Sequence, residues 1–165
     1  LPRATRMIDH AHTAAVHATD EPERSIAAVR TVRDAVFDVM RRLGMTTIFG
    51  NPGSTEIPFL TGLPADIHFV LGLHEGSVVG MATGYALARN EPVLVNLHTA
   101  AGLGNAINAI ANARDSRAPL VVLVGQQDRR QLAYEPFLAG RALERLAGWL
   151  ARWGIAHAIC SGVQQ

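Results

Sequence analysis

The feature that most constrains the fold is an uninterrupted apolar run, Leu120-Val121-Val122-Leu123-Val124, bracketed by Pro119 and Gly125. A run this short and this rich in branched residues suits a strand covered on both faces rather than a helix. Strands of that kind belong to parallel sheets, whose crossover helices cover both sides. A similar run, broken only by Asn96, covers residues 93–97 after Pro92, and β-favouring stretches lie at 46–49 and 67–71. Between them the period changes. From Glu75 onward, Val78, Val79, Ala82, Ala86 and Leu87 recur at helical spacing, while Gly76, Gly80 and Gly84 leave one side bare, and residues 102–113 form a second small-residue helix. Strand and helix thus alternate with short loops, which predicts an α/β fold, a parallel sheet with helices on both faces.

The flanks are read by the same rules. Val29, Val32, Val36, Val39, Met40 and Leu43 return every three or four residues after Ser25 and stop at Gly44, the pattern of an amphipathic helix with a glycine end. Residues 1–24 mix Ala, Thr, His, Asp and Arg without an apolar period and are expected to be a poorly ordered extension. His10, His12 and His17 in that arm are read as solvent-exposed side chains, not as metal ligands. Past Gly125 the chain turns polar, and a last helix is expected over 137–153, with Leu143, Leu146, Ala147, Leu150 and Trp153 on one face. The expected organisation is an extension over 1–24, a folded domain over 25–148 and a divergent tail over 149–165.

Composition narrows the function classes. A chain of 165 residues suits one domain of ordinary size. Its 15 basic residues, all arginine, nearly balance 14 acidic ones, so no single-sign surface points to nucleic acid or membrane. The single cysteine, Cys160, excludes an internal disulfide and a multi-cysteine metal site. No apolar run approaches the roughly 20 residues that span a bilayer, and the N-terminus lacks the apolar core of a signal peptide. Cytoplasm is the expected compartment.

Three junctions carry the chemistry. Residues 46–49 run into Gly50-Asn51-Pro52-Gly53-Ser54, residues 67–71 run towards His74-Glu75, and residues 93–97 run into His98-Thr99-Ala100-Ala101-Gly102. A hydroxyl, a carboxylate and an imidazole are therefore each delivered after the carboxyl end of a strand, the edge where open parallel sheets bind ligands. Each has a plainer reading. Ser54 suits the cap of the next helix, Glu75 suits a first-turn carboxylate that complements the helix dipole, and His98 suits a strand-end imidazole donating to a carbonyl. The GLGNAI segment is no dinucleotide fingerprint, because the third glycine is missing, and there is no Walker loop.

Taken together and in order, GNPGSTEIPFL, LHEGSVVGMATGYALA, VNLHTAAGLGNAINAIANA and PLVVLVGQQ resemble the N-terminal, pyrimidine-binding domain of thiamine-diphosphate-dependent decarboxylases, most of all the benzoylformate decarboxylases. The resemblance runs from about Thr31 to about Gly148. It implies that Glu75 hydrogen-bonds the aminopyrimidine of thiamine diphosphate, favouring the tautomer whose exocyclic nitrogen takes the proton from the thiazolium carbon. By the same likeness His98 handles protons on substrate-derived intermediates and Ser54 engages the substrate carboxylate. Asn51, Pro52, Gly53 and Asn105 are expected to line the cofactor beside Glu75. His74 stands where the family often has glutamine, and no role is assigned to it.

The resemblance also sets what lies elsewhere. The family holds the diphosphate and its Mg²⁺ with a Gly-Asp-Gly motif in a C-terminal domain, and this sequence contains none; no metal ligand is assigned here. The active site in the family lies between subunits, which implies a homo-oligomer or a partner diphosphate-binding domain, with a 2-oxo acid as the small-molecule substrate. The start on Leu1 and the loss of likeness after about Trp149 read as a truncated or frame-altered product, inactive by itself. Two alternatives stand beside the decarboxylase: a carboligase of the acetolactate synthase group, and a non-catalytic interaction module.

Overall fold

A computed structural model describes residues 30–134, 141–152 and 157–161. The expected extension over 1–24, with its three histidines, lies outside the described residues. The first helix opens on a reciprocal cap: the Thr31 hydroxyl accepts from the Asp34 amide, and the Asp34 carboxylate accepts from the Thr31 amide at 2.9 Å. Two otherwise orphaned amides are satisfied, which fixes the start of α1 (Val32–Arg42). Thr31→Ala should cost about 1 kcal/mol, seen as a lower urea midpoint with an unchanged slope.

The buried face of α1 is not the valine stripe that the periodicity suggests. Phe37 and Met40 are buried, whereas Val32, Val39 and Leu43 are exposed. The stripe turned to the sheet is Val36, Phe37 and Met40, set by the larger aromatic side chain, which stacks on Phe59. The expected glycine end is found at Gly44, in the left-handed region at φ 72°.

From there the chain alternates as expected. It runs through β1 (Thr47–Asn51), the short α2 (Ile57–Leu60), β2 (His68–Leu71), α3 (Glu75–Arg89), β3 (Val93–Leu97), α4 (Thr99–Asp115) and β4 (Leu120–Gln126). A short α5 (Arg129–Leu132), α6 (Arg141–Arg152) and β5 (His157–Ser161) follow. The sheet order is β2-β1-β3-β4-β5, every pairing parallel. The α/β reading is therefore correct, with three adjustments. The sheet gains β5, in register from Val122 against His157 to Gln126 against Ser161, within residues read as a tail. β2 is an edge strand, so Leu71 is exposed rather than buried. Leu87, grouped with the core face of α3, is also exposed.

Two apolar layers sandwich the sheet. Val78, Val79, Ala82 and Ala86 of α3 pack with Leu103, Ala106 and Ile110 of α4 against Val95, Leu97, Val122 and Val124, and Leu143 and Leu150 of α6 extend that layer. On the opposite face Phe37 and Met40 join Ile48, Leu94 and Leu123, with Phe59 and Leu60 of α2 against them. Alternate residues of β3 and β4 thus feed opposite cores, as strands covered on both faces require. No helix among the described residues is long and apolar enough to cross a membrane.

Candidate active site

The carboxyl ends of β1 and β3 lie side by side, Asn51 in register with Leu97. The end of β1 and the loop 52–56 after it reach both of the other junctions. Asn51, the last residue of β1, touches Glu75, and Gly53, Thr55 and Glu56 of the loop lie against His98.

Glu75 opens α3 at 7% exposure. Its carboxylate receives two side-chain amides, Asn51 Nδ2 on Oε1 at 3.1 Å and Asn105 Nδ2 on Oε2 at 3.1 Å. The backbone of α4 lies flush against it: a Cβ on Gly102 would stand 3.4 Å from Oε1. A carboxylate that merely complemented the dipole would be solvated and unconstrained. This one is enclosed and oriented, and each oxygen keeps a lone pair for another donor. His74, left without a role by sequence, caps the helix, its Nδ1 accepting from the Gly76 amide at 3.1 Å. A cleft of about 460 Å³ between α3 and α4 is lined by His74, Gly76, Gly80, Thr83, Asn105 and Asn108. Gly80 lines this cleft and is open, with nothing within 4 Å of a Cβ placed there.

His98 follows β3 as the N-cap residue of α4 and makes no capping bond through its side chain. Its imidazole turns to the loop instead. Nδ1 lies 2.8 Å from Glu56 Oε2 and 3.1 Å from Thr55 Oγ1. A Cβ on Gly53 would overlap the ring, so glycine is what allows the imidazole to lie against this backbone. The next residue, Thr99, is fully buried in the left-handed region at φ 52°, and its hydroxyl has no hydrogen-bond partner. A β-branched residue there costs about 1–2 kcal/mol, strain stored directly behind His98. The carbonyl partner suggested for His98 by the plainer reading is replaced by a carboxylate.

Ser54 is exposed on the same loop. It does not cap α2, whose N-cap position is Glu56 without a side-chain capping bond. Of the residues expected from sequence, Asn51, Glu75 and Asn105 are joined by hydrogen bonds, and Gly53 and His98 by contact. Pro52 lies between the two groups on the loop, and Ser54 follows Gly53. Sequence reasoning missed Thr55 and Glu56. No local signal marked Glu56: it stands ahead of the apolar Ile57-Pro58-Phe59-Leu60 as a solvated helix start would, yet it is buried at 2% exposure.

Comparison with known proteins gives a consistent answer. Residues 30–147 match the family "Thiamine pyrophosphate enzyme, N-terminal TPP binding domain". The chain is 50% identical over 125 residues to a benzoylformate decarboxylase of Pseudomonas aeruginosa, covering 76% of this chain and 24% of that protein. It is 36% identical over 112 residues to a putative acetolactate synthase large subunit of Mycobacterium tuberculosis, covering 67% and 22%. Among solved structures, a thiamine diphosphate-dependent 4-hydroxybenzoylformate decarboxylase of Rhodococcus jostii superposes with a TM-score of 0.64 at 51% identity, over 67% of this chain and 21% of that one. The benzoylformate decarboxylase of Polynucleobacter necessarius gives 0.64 at 47% identity, with the same coverage. The chain spans between 16% and 24% of the length of the curated relatives it matches.

Proposed function

Because this chain belongs to the thiamine pyrophosphate enzymes, as their N-terminal TPP binding domain, we propose that it furnishes the aminopyrimidine wall of a thiamine diphosphate site in a 2-oxo acid decarboxylase of the benzoylformate decarboxylase kind. The observation that carries the proposal is the enclosed Glu75 carboxylate, fixed by Asn51 and Asn105 at the strand edge that also presents His98.

The residues present fit the cofactor. An aminopyrimidine offers an acceptor ring nitrogen, and a carboxyl group carrying a proton at the Glu75 position donates to such a nitrogen. When bound, thiamine diphosphate supplies the nucleophilic carbon and the electron sink for loss of CO₂. Glu75 holds a proton at its carboxyl oxygen against the pyrimidine ring nitrogen. Asn51 and Asn105 keep that carboxyl from rotating. His98 accepts or returns a proton at Nε2, and Ser54 donates its hydroxyl to a substrate carboxylate. Pro52 and Gly53 form the backbone floor between these groups. The diphosphate and Mg²⁺ are assigned to a partner domain or second subunit. Hard Mg²⁺ requires oxygen ligands and phosphates together.

The test is thermal unfolding of the chain across a titration of thiamine diphosphate with Mg²⁺. A ligand bound only by the folded state stabilises it by about 2.7 kcal/mol at a hundredfold excess over its dissociation constant. The expected result is a midpoint that climbs with ligand concentration, and that also climbs with the aminopyrimidine fragment alone. Cooperative unfolding with no shift at any concentration of either ligand would overturn the assignment.

A further inference from the structure

We propose that Glu56 is a positioning residue that fixes the tautomer of His98, and that Gly125 on β4 provides the space in which it does so. The proposal rests on the reading of His98 as the proton-handling group. Glu56 is buried at 2% exposure, yet two donors and one imidazole nitrogen converge on it. The Gly53 amide donates to Oε2 at 2.8 Å, the Thr55 hydroxyl donates to Oε1, and His98 Nδ1 faces Oε2 at 2.8 Å. An amide has only a donor to give, and the Thr55 proton is committed to Oε1, so the carboxyl group is held as an acceptor. The imidazole must then carry its proton on Nδ1. Thr55 Oγ1, 3.1 Å from Nδ1, offers the same proton a second acceptor. Nε2 is left as a bare lone pair.

That is the less populated tautomer of a free imidazole, so it has to be imposed. A charge-assisted hydrogen bond is strong enough to impose it by about tenfold or more. The geometry depends in turn on the neighbouring strand. β4 is made of large apolar residues up to Val124 and then gives way to Gly125, where any Cβ would overlap the Glu56 carboxyl and approach Thr55 Oγ1 to 2.7 Å. Gly125 and Gly53 are thus two missing side chains on opposite sides of one hydrogen-bonded unit. One admits the carboxylate and the other admits the ring.

The experiment is nitrogen-15 NMR of the full chain labelled at histidine, without cofactor, at a pH where the imidazoles are neutral, with His98 assigned through His98→Asn. In the unsubstituted protein His98 should be Nδ1-protonated by about tenfold or more over the other form. Glu56→Ala should move it to mainly Nε2-protonated, and Gly125→Ala, which leaves the carboxylate chemistry intact and displaces it, should do the same. Glu56→Gln should keep the Nδ1 proton, because the Gly53 amide orients the glutamine oxygen towards Nδ1. Finding His98 Nε2-protonated in the unsubstituted protein overturns the proposal, as does an unchanged tautomer in folded Gly125→Ala. Should Glu56→Ala not fold, the unsubstituted protein and Gly125→Ala still decide it. Since no cofactor is present, this result is independent of whether thiamine diphosphate binds.

Discussion

Replacing Phe37 with alanine is expected to destabilise the chain by about 3–5 kcal/mol and to loosen the site it never touches. Phe37 is buried at 2% exposure and stacks on Phe59 of α2, ring centroids 5.1 Å apart and planes at 27°. Arg33 lies over the outer side of the Phe37 ring, 4.8 Å from its centroid. From there it donates to the carbonyls of Phe59 at 2.9 Å and of Thr61 and Gly62, each at 2.6 Å. One helix turn of α1 therefore clamps the carboxyl end of α2, and the residue preceding the amino end of α2 is Glu56. Removing the ring leaves a cavity and frees the arginine. Domains of this kind are stable by only about 5–15 kcal/mol in total, so the urea midpoint should fall steeply. Amide exchange over residues 56–62 should accelerate before that of β3 does, as expected when a satellite layer opens ahead of the sheet. A loss below about 1 kcal/mol would show that the aromatic pair is peripheral.

That clamp shows why some of the molecule was legible in the sequence and some was not. β3 falls on the expected residues 93–97 because a strand buried on both faces leaves an apolar run with no competing period. The end of α1 was legible because Gly44 adopts a left-handed φ that other residues resist. The face of α1 was not, because a helix with apolar residues at 32, 36, 37, 39, 40 and 43 has more than one stripe, and the choice among them is made by Phe59, 22 positions beyond Phe37. The β5 strand was missed because edge pairing is decided by the register offered by β4. In the site, Glu75 and His98 were visible as polar residues breaking apolar runs at strand ends. Glu56 was not, since a glutamate ahead of an apolar segment ordinarily marks the solvated start of a helix. Only the folded chain, with Gly125 vacating the space, turns it inward.

The substitution with the clearest functional consequence is Glu75→Gln, which should abolish the cofactor-dependent stabilisation and cost the free chain about 1 kcal/mol. The carboxylate accepts one amide on each oxygen, from Asn51 and Asn105. Glutamine has a single acceptor oxygen, and its NH₂ would face the NH₂ of one of the two asparagines. Either that asparagine turns its amide over or one buried donor goes unmet. The larger effect is on the ligand. A glutamine cannot hold a transferable proton against the pyrimidine nitrogen, so the stabilisation of about 2.7 kcal/mol expected at a hundredfold ligand excess should vanish in thermal unfolding. Glu91→Gln is the matched control. Glu91 is half-exposed and pairs with Arg89 at 2.9 Å beyond the end of α3, so its loss should leave the ligand shift intact, as surface pairs contribute little. A Glu75→Gln chain that unfolds cooperatively and still gains the full shift would place the pyrimidine elsewhere, and the enclosed carboxylate would then be a structural device for joining β1, α3 and α4.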